Sequence, residues 1–155
     1  MTKLLSLALA LVLFVAAPAF ADRDKNCHVV SEALDPTEAQ GTNDYLNLTD
    51  GTFGATRAAD DEFTIPVNMV ASSLRVATAT APGAGDIWTV SVFDDTTETP
   101  VLCSISGTAT TCSNLASKAA IAAGSKLVVL VSSANGASDP TATSEILVSF
   151  CLSES

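Results

Sequence analysis

The fold of this chain is decided by residues 72–93, whose sequence is SSLRVATATAPGAGDIWTVSVF. Leu74 and Val76 alternate with Arg and Ala before a turn rich in proline and glycine, and Trp88 and Val90 alternate with Thr and Ser after it. Alternation with a period of two residues, bounded by glycine and proline, is typical of half-buried antiparallel strands. The stretch therefore predicts a β-hairpin whose apolar residues, Trp88 included, belong to a core.

The same pattern continues downstream to residue 152. Further apolar runs follow at residues 101–105, 126–132 and 145–151, and no amphipathic helix interrupts them. The whole pattern predicts six to eight strands at spacings close to ten residues. The run at 126–132, KLVVLVS, is apolar almost throughout and predicts a central strand that is covered on both faces. These features predict an all-β protein with a single antiparallel β-sandwich of the jelly-roll kind.

The region before residue 63 is less regular. Residues 34–61 are rich in Gly, Asn, Asp and Thr, so we expect a long loop with one short strand near residues 45–49. A structureless loop of this length is unusual within a compact domain. The region therefore either contains further strands or forms the functional surface.

The first 21 residues have the features of a secretory signal peptide. Lys3 precedes an apolar run at residues 4–17, and Ala19-Phe20-Ala21 matches a small-residue cleavage site. We expect residues 22–155 to form one secreted or periplasmic domain, with an irregular part at 22–62 and a strand-rich core at 63–152. After cleavage, no other segment approaches the length of a membrane span.

Four cysteines follow the predicted cleavage site. An even count in an exported chain predicts two disulfides, and four cysteines allow three pairings. We favour Cys103–Cys112, which would close one loop, and Cys27–Cys151, which would join the two ends of the domain.

The order of strands and turns resembles a known group of domains. The segments that carry the resemblance are IPV, SSLRVATATAPGAGDIWTVSVF, VLCSISGTATTCS, AAIAAGSKLVVLV and SEILVSFCL, within residues 63–152. They resemble small jelly-roll domains of uncharacterised bacterial and phage proteins, which are similar to the heads of complement, tumour-necrosis-factor and spore-surface glycoprotein trimers. The resemblance implies a jelly-roll fold and a homo-oligomer, and it implies no catalytic residues.

Charge and motif content restrict the function. The formal net charge is −10 at pH 7, which argues against nucleic acid or an anionic membrane surface as a partner. His28 is the one histidine, and the chain has neither a GxSxG nor an HExxH motif. We therefore predict that the protein is not an enzyme.

Two sets of residues are candidates for ligand contacts. Asp60, Asp61 and Glu62 offer the oxygen ligands that calcium prefers, so calcium is the one cofactor we consider. Tyr45 and Phe53 are the aromatic residues of the irregular region, and aromatic rings commonly contact sugars.

The leading hypothesis is a secreted, non-enzymatic β-sandwich that acts as a binding module or as an extracellular or cell-surface structural module. Its partner would be a glycan or another surface protein. One alternative is a small extracellular hydrolase of polysaccharides with carboxylates from residues 34–61. Another is a subunit of a trimeric or filamentous surface assembly, which would need an exposed apolar sheet face.

Overall fold

A computed structural model describes residues 25–33, 43–46, 48, 53–54, 62–134 and 145–155. These residues form strands and turns and contain no helix. The strands of the described residues are β1 (Lys25–Ala33), β2 (Asn43–Leu46), β3 (Phe53–Gly54), β4 (Phe63–Thr64), β5 (Met69–Thr78), β6 (Gly83–Asp94), β7 (Thr97–Gly107), β8 (Thr111–Ile121), β9 (Lys126–Ala134) and β10 (Glu145–Glu154). The predicted signal peptide, residues 1–21, lies outside the described residues.

The strands form two antiparallel sheets that pack together as a sandwich. The four-stranded sheet has the order β1-β10-β5-β8, and the six-stranded sheet has the order β3-β2-β9-β6-β7, with β4 also paired to β9. All described pairings are antiparallel. The prediction of an all-β, sandwich-like architecture is therefore confirmed.

The core lies between the two sheets and follows the alternation seen in the sequence. Leu74 and Val76 of β5 are buried, as are Val90 and Val92 of β6. Trp88 is only 2% exposed, so its predicted place in the interior is confirmed. Burial of such side chains is the main stabilising contribution to a domain of this size.

A β-bulge in β5 keeps the core face apolar along the whole strand. Ser73 has a φ of 60°, and the pairing of β5 with both neighbours shifts register around it. An extra residue changes which face the following side chains occupy. Because of the bulge, Ala71 before it and Leu74 after it are both buried.

Strand β9 is central in its sheet, as its apolar sequence predicts. It pairs with β6 on one side and with β2 and β4 on the other. Leu127 and Val129 belong to the core cluster. Val128 and Leu130, whose side chains alternate with these, are 0% and 8% exposed, so both faces of this strand are covered.

The hairpin between β6 and β7 is tighter than expected. The polar run at residues 94–100 predicts a long turn, but Asp94 already pairs with Thr97, which leaves a two-residue turn. Asp95 occupies that turn with a φ of 52°. Its N–H donates to the carbonyl of Lys126 at 2.8 Å, and its carboxylate accepts from the N–H of Lys126 at 2.9 Å. The turn is thereby fixed to the start of β9.

The chain crosses from one sheet to the other between β7 and β8. The predicted disulfide Cys103–Cys112 is confirmed and joins these two strands, with the Cα atoms 5.9 Å apart. Beside it, the side-chain amide of Asn114 donates to the carbonyls of Pro100 at 3.1 Å and Leu102 at 2.9 Å. The Oδ1 atom of Asn114 accepts from the N–H of Ser117 at 3.0 Å. Covalent and polar links thus hold the two sheets together along one side.

We expect Asn114→Ala to lower the free energy of unfolding by about 1–2 kcal/mol, because three hydrogen bonds at a partly buried site are lost. Asn114→Asp is a matched variant that keeps the size and the acceptor but removes both donors. It should be at least as destabilising, since a carboxylate would then face two carbonyl oxygens. Urea denaturation measures both values. A change within about 0.5 kcal/mol for both variants, the range typical of neutral surface positions, would contradict a stabilising role.

The irregular region before residue 63 contains more strand than predicted. The short strand expected near residues 45–49 corresponds to β2, and β3 adds a second one. β2 borders β9, so the region extends the six-stranded sheet. Of the two readings of residues 34–61, the structure therefore supports additional strands.

The two ends of the described chain are adjacent in the four-stranded sheet. β1 pairs with β10 along nine residue pairs, and Cys27 lies directly opposite Cys151. Phe150 and Leu152 are buried in the core cluster, and Cys151 between them belongs to the opposite face of the strand. The backbone thus places the two cysteines as the predicted second pairing requires.

Candidate functional site

The aromatic residues proposed for ligand contact lie on two neighbouring strands, β2 and β3. Tyr45 is half-buried on β2, opposite Leu130 of β9 and Gly54 of β3. Phe53 instead pairs with Leu46. The register therefore does not set the two aromatic residues across from each other, and a role in sugar binding stays a prediction.

The proposed calcium ligands are only partly within the described residues. Asp60 and Asp61 lie outside them. The carboxylate of Glu62 lies 3.7 Å from the Nζ atom of Lys126, an ion pair at the start of β9. In the described part of the chain, no three His, Cys, Asp or Glu side chains group as a metal site would need. Calcium binding stays a prediction.

A different site lies on the outer face of the four-stranded sheet. Leu74 and Val76 point into the core, so Arg75 and Ala77 between them point outward. The register sets Arg75 between Ser149 of β10 and Ser113 of β8.

Two residues further along β5, on the same face, the register sets Ala77 between Leu147 of β10 and Thr111 of β8. The two rows together form a patch three strands wide. It combines one cation, hydroxyl groups and a small apolar area.

This patch is concave, and we call it the Arg75 groove. Its volume is about 470 Å³, and it opens broadly to solvent. The residues that line it are Arg75, Val76, Ala77, Thr111, Cys112, Ser113, Leu147 and Ser149. The side chain of Cys112 faces away from the groove and packs against the core, where it forms the disulfide to Cys103. β8, which forms one side of the groove, is therefore covalently attached to the other sheet.

Arg75 is exposed and has no ion-pair or hydrogen-bond partner within the described structure. It is also the one arginine among the described residues. Elsewhere in this part of the chain, Lys126 is paired with Glu62. A guanidinium without a partner, in a chain of net charge −10, leaves a local positive charge that an anionic group could neutralise.

The groove has the chemistry of a binding surface. A guanidinium presents its N–H groups in a planar fork that matches a carboxylate. The hydroxyls of Thr111, Ser113 and Ser149 can each donate and accept. Leu147, which is 41% exposed, adds an apolar contact at one side. The described lining contains no carboxyl or imidazole group that could serve as a general acid or base.

Sequence reasoning missed the Arg75 groove for a physical reason. The alternation in the sequence marks Arg75 only as a polar residue on the outer face of a strand. Its neighbours Ser113 and Ser149 come from strands far along the chain, and only the register brings the three together. The one signal in the sequence is an arginine in the middle of a strand whose other outward residues are small or uncharged.

Comparison with protein-family models, with curated proteins and with solved structures finds no significant match to this chain. Among the described residues, no helix is long and apolar enough to cross a membrane. The functional reading of the protein therefore depends on the site itself.

Proposed function

We propose that this protein is a secreted, non-enzymatic jelly-roll module that binds a glycan or another surface protein through the Arg75 groove. The observation that carries the proposal is Arg75, whose side chain has no partner in the part of the chain that the structure describes and lies in an open groove lined by hydroxyl groups. We therefore assign the contact surface to this sheet face rather than to the loops at one end of the sandwich.

The strand order supports the jelly-roll part of the proposal. Without the short strands β3 and β4, the described strands can be counted from first to eighth in chain order. The four-stranded sheet then has the order first, eighth, third and sixth strand, and the other sheet has the order second, seventh, fourth and fifth strand. Successive strands therefore alternate between sheets, except at the hairpin from β6 to β7. Two interleaved Greek keys produce this order, and it is the order of a jelly roll.

The cysteines support a secreted protein. Cys103–Cys112 is a disulfide, and such bonds persist in oxidising compartments. We propose that Cys27 and Cys151 form the second one, because their positions oppose each other in the β1–β10 register. An extracellular or periplasmic location is consistent with both.

A variant that fills the groove tests whether this surface binds. Ala77→Trp adds a large ring at the centre of the groove, whereas Ser106→Trp adds the same ring at an exposed position of β7 on the other sheet. A glycan array and a thermal-shift screen, each run with and without calcium, should yield ligands of the natural protein. We expect Ala77→Trp to abolish binding and Ser106→Trp to retain it.

The same screen distinguishes the competing functions. A ligand that binds both variants equally would show that the contact surface lies elsewhere. Release of reducing sugar from a polysaccharide on the array would favour the hydrolase. For the assembly hypothesis, the exposed large apolar residues of the described chain are Val67, Leu115 and Leu147. They lie on separate elements, so no specific observation favours an apolar assembly face.

A further inference from the structure

We propose that the Arg75 groove recognises a saccharide that carries a single carboxylate, with the guanidinium of Arg75 bound to that carboxylate. This inference rests on the proposed function and names its ligand class. The geometry that points to it is the row in which Arg75 lies between Ser149 and Ser113.

The charge of the site favours an anionic group, and a carboxylate fits the guanidinium. The lining of the groove contains one cation and no acid among the described residues. A guanidinium binds a carboxylate through two parallel hydrogen bonds, which gives direction as well as attraction. Neutral sugars would use the hydroxyls but would leave this cation without an anionic partner.

The charge of the whole chain selects a single carboxylate. At a net charge of −10, the protein repels polyanions at long range, and one arginine cannot compensate for many negative groups. A ligand with one carboxylate and an otherwise neutral body gains the local ion pair with little of that repulsion.

The rest of the lining favours a sugar over a peptide. Ser113 and Ser149 lie on the two strands that flank Arg75, and Thr111 lies two residues from Ser113 on the same face of β8, so three hydroxyls that can donate and accept lie around the cation. β5 and β10, which form the centre of the groove, are inner strands whose backbone groups are already paired within the sheet, so a peptide strand cannot add there. Leu147 and Ala77 supply an apolar area against which the carbon face of a sugar ring can pack.

The affinity for one sugar unit should be weak. Arg75 is exposed, and ion pairs in contact with water contribute little because solvent competes for both partners. For a ligand the size of one hexose, we expect a dissociation constant on the order of 1–10 mM.

A nuclear magnetic resonance titration of the full exported chain tests the inference. D-glucuronate and D-glucose differ only by the carboxylate, and acetate supplies the carboxylate without the sugar. With ionic strength held constant by NaCl, glucuronate should shift the backbone amides of Ala77, Ser113 and Ser149. Glucose and acetate should each bind about tenfold more weakly, since each lacks one half of the recognition.

Two variants assign the effect to Arg75. Arg75→Gln should reduce glucuronate affinity about tenfold and bring it to the level of glucose, because the charged pair is lost. Lys118→Gln removes a different exposed cation, which lies on β8 and does not line the groove, and it should leave binding unchanged. Both positions are exposed, so neither change should alter the thermal unfolding midpoint by more than a few degrees.

The outcomes separate this inference from the proposed function. One outcome is that glucose binds as tightly as glucuronate, and that this binding is lost in Ala77→Trp but kept in Arg75→Gln. That result would overturn the carboxylate assignment, but the groove would remain a binding surface. Acetate, or a neutral peptide with a free C-terminal carboxylate, binding more tightly than glucuronate would overturn the saccharide assignment. Glucuronate shifts confined to residues outside the groove would overturn both.

Discussion

Phe150→Ala is expected to lower the free energy of unfolding by about 3–5 kcal/mol, the range for truncating a large buried aromatic side chain. Phe150 is 1% exposed and belongs to the core cluster contributed by both sheets. Truncation of its side chain leaves a cavity and removes contacts across the sandwich. Guanidinium denaturation followed by circular dichroism measures the loss.

The matched control is Leu147→Ala on the same strand. Leu147 is 41% exposed on the outer face, so we expect a change within about 0.5 kcal/mol. If Phe150→Ala does not accumulate as folded protein, Phe150→Leu provides a milder test with an expected loss of about 1–1.5 kcal/mol. Equal effects for the two alanine variants would contradict the assignment of β10 faces.

Removal of the proposed Cys27–Cys151 disulfide should have an effect of similar size. A disulfide stabilises the folded state by lowering the entropy of the unfolded chain. Through this effect a bond that closes nearly the whole domain adds about 5 kcal/mol to the free energy of unfolding, compared with about 2.5–3 kcal/mol for the short Cys103–Cys112 loop. Serine at both cysteines of a pair, measured by equilibrium denaturation under oxidising conditions, should reproduce that order. Together the two losses approach the total stability of many domains, so full reduction should unfold the protein.

Peptide mapping without reductant is the direct check on that pairing. A single cross-linked peptide that contains Cys27 and Cys151 is expected from the β1–β10 register. Free thiols at these positions, or a cross-link from either residue to Cys103 or Cys112, would contradict it. A double serine variant as stable as the natural protein would show that the termini are held by strand pairing alone.

The sequence predicted the regular part of the sandwich well because alternation reports burial directly. Leu74, Val76 and Trp88 occupy the core faces that their spacing indicated. The bulge at Ser73 was not predictable, because nothing in a serine signals a positive φ. Residues 119–122 could be strand or a helical turn by composition, since alanine suits both, and pairing with β5 decides for strand.

The candidate site was harder to predict than the fold for the same reason. A binding groove on a sheet face is assembled from neighbours in register, and register depends on turns and bulges that the sequence specifies weakly. The polar run at 94–100 illustrates this, since β6 and β7 extend through most of it. Acidic and aromatic residues draw attention by type, whereas Arg75 acquires meaning only beside Ser113 and Ser149.

The bonds that Asn114 makes to β7 also affect how the protein behaves in a crowded environment. β7 is the last strand of its sheet, and an exposed last strand is a template on which another chain can add and aggregate. Pro100 has no N–H to offer, and the carbonyls of Pro100 and Leu102 are already occupied by the side chain of Asn114. This stretch of the sheet edge is therefore closed to strand addition, which would help the protein to stay dispersed at high concentration.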